Sequence, residues 1–128
     1  MMSVSNVIFL LHKAINLELA YNLHTHEFRC QCSRLTCNQI LFSPRLKDSW
    51  NLSRAQFGKP LKVNSGHRCQ AHNEEVGGVE NSAHTRGEAI DISHSEFEPL
   101  EKRHLKMILE KNFDVVIEYP TFYHCHNN

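Results

Sequence analysis

An excess of charge of either sign is missing from this chain: 14 lysines and arginines face 14 aspartates and glutamates. Without a net field nothing draws in a polyanion or an anionic bilayer over distance, so neither nucleic acid nor a membrane is an expected partner. Also missing is any run near the roughly 20 apolar residues that a membrane-spanning helix needs. The apolar stretch Val7 to Leu11 is soon interrupted by Lys13 and Glu18 and has no small-residue cleavage site after it. It therefore does not read as an export signal, and the expectation is a monomer that is cytoplasmic as synthesised. There is no internal repeat, low-complexity tract or linker. A chain of 128 residues with 41% hydrophobic content suits one core and one domain, 1–128. The cysteines number five, and an odd count rules out complete disulfide pairing within the chain.

What is present in quantity is histidine, ten in all. Neutral imidazole is the commonest metal ligand and the side chain that titrates near neutral pH. The frame around these histidines mixes two periodicities. Val7, Leu10, Leu11 and Ala14 predict an amphipathic helix over about 5–19. Ser43-Pro44 predicts a helix start and Gly58 its stop, with Leu46, Trp50 and Phe57 on one face. Residues 60–65 read as a strand and 70–76 as a short helix ended by Gly77-Gly78. In 87–93 Ala89 and Asp91 alternate with Ile90 and Ile92, so a strand there shows Asp91 away from the isoleucines. Ser95 and Glu98 form a capping-box pattern for a helix to about Lys111, and 113–119 with 122–126 predict a hairpin around Pro120-Thr121. The sum is an α+β domain: a small, mainly antiparallel sheet with helices packed on one face.

Chemistry concentrates between Ser82 and Asp91. His84 and Asp91 stand seven residues apart with Gly87 between them to turn the chain into a strand, so both can reach one metal ion. An open catalytic zinc site needs a third protein ligand and keeps its fourth position for water. The last strand offers His124 and His126 on one face, and periodicity does not choose between them. The bland alternative for His84 and Asp91 is a capped loop entering a strand. Cys30, Cys32, Cys37 and Cys69 are open to three states: a structural zinc site, a disulfide pair or buried thiols. Cys125, opposite in phase to His124, is a core candidate. His12, His24, His26, His67, His94 and His104 read as solvated or structural.

Three blocks in order carry a resemblance: Val63-Asn-Ser-Gly-His-Arg-Cys-Gln-Ala-His-Asn73, Val76-Gly-Gly-Val-Glu-Asn-Ser-Ala-His84 and Gly87-Glu-Ala-Ile-Asp91. Together they resemble the zinc D-Ala-D-Ala carboxypeptidases, whose relatives include phage L-alanyl-D-glutamate endopeptidases and the hedgehog signalling domain. The similarity runs from about Phe28 to the C-terminus, and residues 1–24 carry none of the motifs. The resemblance implies a hedgehog/DD-peptidase-like fold, one catalytic Zn2+ and His84, Asp91 and His124 as its ligands. It also implies a peptidoglycan stem peptide as substrate, reached at the cell wall after release, as for a phage lysis enzyme. Arg68 takes the place of the arginine that meets the substrate carboxylate or the developing oxyanion, and Ser82 and His72 are lesser substrate-side candidates. The family's catalytic carboxylate often lies three residues before the last ligand, where this chain has Thr121. Glu118, six residues upstream of His124, is then the expected base, as in the branch whose glutamate ends one strand of the hairpin. A zinc-bearing recognition or virion module without hydrolysis is the rival expectation.

Overall fold

A computed structural model of the chain describes residues 7–9 and 16–128. In chain order the elements are β1 (Val7–Phe9), β2 (Glu18–Ala20), β3 (Leu23–His24), α1 (Thr25–Phe28), β4 (Gln39–Leu41), α2 (Pro44–Phe57), β5 (Val63–Ser65) and α3 (Gln70–Glu75). A 3₁₀ turn (Ala83–Arg86), β6 (Ala89–Ser93), α4 (Pro99–Asn112), β7 (Val115–Glu118) and β8 (Phe122–His126) follow. The principal sheet has the order β5-β6-β8-β7, and every neighbouring pair in it is antiparallel. Two smaller ribbons pair β1 with β4 and β2 with β3.

The strands of the sheet sort their side chains by parity. Ile90 and Ile92 of β6 and Tyr123 and Cys125 of β8 join Leu46 and Trp50 of α2 and Leu105 and Leu109 of α4 in one buried core. Burying an aliphatic side chain of this kind stabilises by about 1.5–3 kcal/mol, and the core is what fixes the strand register. The alternate residues, Asp91 on β6 and His124 and His126 on β8, fall on the other face. Two polar anchors hold the helices in place: Trp50 donates Nε1–H to Tyr21 O at 2.7 Å, and Tyr123 donates its hydroxyl to Lys102 O at 2.9 Å.

The start and stop of α2 are those its residues predict. Ser43 Oγ accepts from the Leu46 amide at 3.0 Å, Pro44 opens the first turn, and Gly58 closes the helix at φ +73°. Two other expectations need correction. Val7–Phe9 is a strand, registered as Val7↔Leu41, Ile8↔Ile40 and Phe9↔Gln39, and Glu18–Ala20 is a second strand, so the described residues of 5–19 carry no helix. Positions 10–15 lie outside the described residues. A short apolar run satisfies helical and strand templates alike, and the open edge of β4 settles the matter for Val7–Phe9. The helix α4 begins at Pro99, with Glu98 preceding it without a side-chain cap, while Ser93 Oγ donates to Glu96 Oε2 at 2.7 Å. Proline at the first helical position sets the start there, which leaves Ser95 outside the first turn.

Gly66 marks the closest approach of the β5–α3 connection to α1. A Cβ added at Gly66 would lie 2.5 Å from Phe28 O and collide with the Phe28 ring, and Phe28 O already accepts the His67 amide at 2.7 Å. Gly66→Ala is expected to destabilise the fold by about 3 kcal/mol, the upper end for overpacking, because backbone rather than a flexible side chain blocks the methyl. Chemical denaturation checks this: an unchanged midpoint would mean that Phe28 and the β5 end separate freely.

Candidate metal centre

Three separate elements bring the candidate ligands together. Ser82 precedes the 3₁₀ turn, and its Oγ accepts from the His84 amide at 3.3 Å; its carbonyl accepts the Thr85 hydroxyl at 2.6 Å. Gly87 ends the turn at φ +70°, a left-handed conformation that glycine adopts without penalty, and so aims the chain into β6. His84 is thereby held with only 1% of its surface exposed. Asp91 sits at the middle of β6, directly opposite His124 on β8. Cross-strand partners share a face of the sheet, so the pairing itself delivers both side chains to one place.

At the centre, Asp91 Oδ1 lies 3.2 Å from His84 Nε2 and 2.9 Å from His124 Nδ1. One ligand atom from each of the three residues lies within 4.8 Å of the others. The hydrogen bonding behind His84 decides what this cluster can hold. His84 Nδ1 is 2.7 Å from Gly66 O, and a carbonyl can only accept, so Nδ1 carries the proton. A neutral His84 therefore turns the Nε2 lone pair towards an anionic oxygen. That arrangement calls for a positive charge between them, from a metal ion or an added proton. An imidazole that donates its far N–H to a backbone carbonyl is the usual support of a metal ligand. Two imidazoles and one carboxylate fit zinc with an open fourth position.

Around the cluster, burial favours the neutral forms of His67 and His126, and hydrogen bonding favours the ionised form of Asp91. Burial pushes the Asp91 carboxyl up, but the hydrogen bonds with His124 and His84 outweigh it and hold the group below its usual range. Burial, followed by the proximity of the His84 ring, pulls the neighbouring His67 down to about 4. His126 Nδ1 lies 2.8 Å from His124 Nε2, and burial followed by the proximity of the His124 ring lowers the His126 pKa. When His124 Nδ1 serves as a ligand, Nε2–H donates to His126, which fixes the His124 ring as Gly66 fixes that of His84.

A cleft of about 570 Å³ opens over the cluster, and Arg68, Ser82, Arg86, Tyr119 and His126 are among its lining residues. The Arg68 amide donates to His84 O at 3.1 Å, and its Nε is buried without a hydrogen-bond partner. Gly78 of the expected glycine pair leaves room for the guanidinium: a Cβ there would lie 3.1 Å from Arg68 Nη1 and would strike Asn73 Oδ1. His72 lies in the short α3 helix, half-buried.

Glu118 is not brought to the cleft. In the β7–β8 pairing Ile117 faces His124 and Glu118 faces Tyr123. Ile117 therefore shares the face of His124 and Asp91 and lines the cleft, while the Glu118 carboxylate turns to α4, where Oε1 lies 3.1 Å from Lys106 Nζ. The expectation that the hairpin carries Glu118 across to the site fails by a single residue of register, which is enough to reverse a side chain's face. Among the described residues lining the cleft, Asp91 is the only carboxylate. The sequence reading also missed the Gly66 carbonyl, for which no side-chain pattern exists. His126, the rival third ligand in the sequence, lies against the His124 ring instead; the shared face with His124 was the available signal.

A family model described as Peptidase M15 matches residues 21–126, most of the chain. No curated protein and no solved structure matches it.

Proposed function

Because the chain belongs to the peptidase M15 family, a family of zinc peptidases, we propose that it hydrolyses peptide bonds in peptidoglycan stem peptides, with His84, Asp91 and His124 as zinc ligands. The observation that carries this reading is the convergence of the three side chains at the floor of an open cleft, with His84 already protonated on the nitrogen that faces away. Zinc bound there supplies Lewis-acid polarisation of the scissile carbonyl and activation of a water molecule.

The chain's own residues divide the remaining work. Asp91 supplies the negative charge of the ligand set, and the Gly66 carbonyl and His126 hold the two imidazoles in their rotamers. Arg68 and Arg86 line the same cleft and suit a substrate that carries free carboxylates, as stem peptides do, since a guanidinium pairs with a carboxylate through two parallel hydrogen bonds. Ser82 serves first as the cap that places His84. Proton transfer falls to His126, among the described residues the one imidazole lining the cleft outside the ligand set, once its Nδ1 is released from His124 to accept a proton. A D-Ala-D-Ala carboxypeptidase and an L-Ala-D-Glu-type endopeptidase both fit this arrangement. The resemblance to endolysin peptidases supports a phage lysis enzyme as its setting.

Digestion of purified peptidoglycan with the zinc-loaded protein, followed by mass spectrometry of the new termini, tests the reading. New carboxyl termini within stem peptides are expected, and release of free D-alanine identifies the carboxypeptidase. Intact stem peptides after prolonged incubation would favour a second reading, a zinc-bearing recognition module without turnover. One observation supports that alternative: no carboxylate other than Asp91 lines the cleft among the described residues.

A further inference from the structure

We propose that Cys30, Cys32, Cys37 and Cys69 hold a second zinc ion in a closed, structural tetrathiolate site that clamps the 29–38 loop to the start of α3. The four Sγ atoms all lie within 4.8 Å of one another. Cys30 Sγ is 3.7 Å from Cys69 Sγ, and Cys69 Sγ is 3.9 Å from Cys32 Sγ. A tetrahedron with Zn–S bonds of about 2.3 Å has sulfur–sulfur edges of about 3.8 Å, so these separations already match the edges of a zinc tetrathiolate. A disulfide would instead bring two of the sulfurs to about 2 Å and leave the other two without a role.

The groups around the sulfurs suit thiolates better than apolar packing would. The Cys69 amide donates to Cys30 Sγ at 3.4 Å, and the His72 amide donates to Cys69 Sγ at 3.4 Å. The Arg34 side chain hydrogen-bonds Cys32 and pairs with Glu75 of α3, and Arg29 Nη1 donates to Cys30 O at 3.0 Å. Binding one Zn2+ to four thiols releases four protons and leaves a core of charge −2, which these two guanidinium groups partly offset. With four protein ligands no coordination position remains for water, so the ion is structural.

The fold shows why a clamp is needed at this point. Residues 29–38 form no helix or strand, and a single turn bond, the Cys37 amide donating to Arg34 O at 3.2 Å, ties the loop backbone to itself. Cys30 and Cys32 are nevertheless buried. An ion shared with Cys69 would join this loop to the segment that carries Gly66 and Arg68. The inference does not depend on whether the cleft hydrolyses peptides.

The test uses the full chain, purified reduced and loaded with zinc. Metal analysis is expected to give two ions per chain, one in His84→Ala and one in Cys32→Ser. In the wild type four thiols should resist a thiol reagent until a chelator is added, while Cys125, fully buried in the core, should react only on unfolding. Cobalt substitution should produce thiolate-to-metal charge-transfer bands in the wild type and in His84→Ala. One ion in the wild type together with none in His84→Ala would overturn the proposal. So would four thiols that react equally fast with and without chelator, or an intact mass showing disulfides in the zinc-loaded protein. The thiol and cobalt readouts need no cysteine variant, so they decide the matter even if Cys32→Ser does not fold.

Discussion

Asp91→Ala is expected to strip zinc from the cleft and abolish peptide hydrolysis while the sheet remains folded. Its Oδ1 is the common neighbour of both imidazoles, at 3.2 and 2.9 Å, and it carries the only negative charge in the ligand set. Loss of a group that merely orients a ligand weakens metal binding about 10–100-fold, so loss of the charged ligand itself should exceed roughly 100-fold. The fold should survive because Asp91 points away from Ile90 and Ile92, and its backbone pairing with His124 does not involve the carboxylate. Titration with zinc, alongside circular dichroism, separates the two effects. Unchanged affinity at the cleft in Asp91→Ala would dismiss the proposed centre. In zinc affinity His124→Ala should behave like Asp91→Ala and His126→Ala more mildly; the opposite ranking of affinities would make His126 the third ligand.

The second large effect concerns the proton acceptor. His126→Asn should lower peptidoglycan hydrolysis by roughly two to four orders of magnitude, the usual contribution of positioned acid–base catalysis. Glu118→Gln should leave turnover near that of the wild type. Its carboxylate is on the helix side of the sheet with Lys106, and its side chain is 53% exposed, so the substitution removes only a surface ion pair worth about 0–1 kcal/mol. The reverse result, with Glu118→Gln inactive and His126→Asn active, would require β7 to slip by one residue against β8 in the working enzyme. If neither variant nor the wild type cleaves any stem peptide while all retain zinc, the recognition-module reading takes precedence.

These outcomes bear on what the amino-acid sequence could reveal. Ser43, Pro44 and Gly58 act through local hydrogen bonds and backbone angles, so α2 was legible residue by residue. Alternation in β6 was equally plain, because Ile90 and Ile92 must be covered and Asp91 then has only one face left. The hairpin was legible as an element but not in its register. Whether Ile117 or Glu118 stands opposite His124 depends on how many residues the turn at 119–121 consumes, and the apolar pattern Val115-Val-Ile117 does not count them. Strand β1 was not legible because its partner, β4, lies some 30 positions away in the chain. The clustering of Cys30, Cys32 and Cys37 with Cys69 is long-range in the same sense: spacing within the loop says nothing about the fourth sulfur.

The bond from His84 Nδ1 to Gly66 O has a consequence for how such a site can vary. The acceptor is main chain, so no side-chain replacement can delete it, and a codon change at position 66 reaches it only by moving the whole backbone. The Phe28 ring and carbonyl leave no room there for a residue larger than glycine. The protonation pattern of His84 is therefore insulated from drift at single positions, whereas the support of His124 is a side chain, His126, open to replacement. Divergence among chains built on this plan should accordingly concentrate on the His124 side of the centre and spare the His84 side.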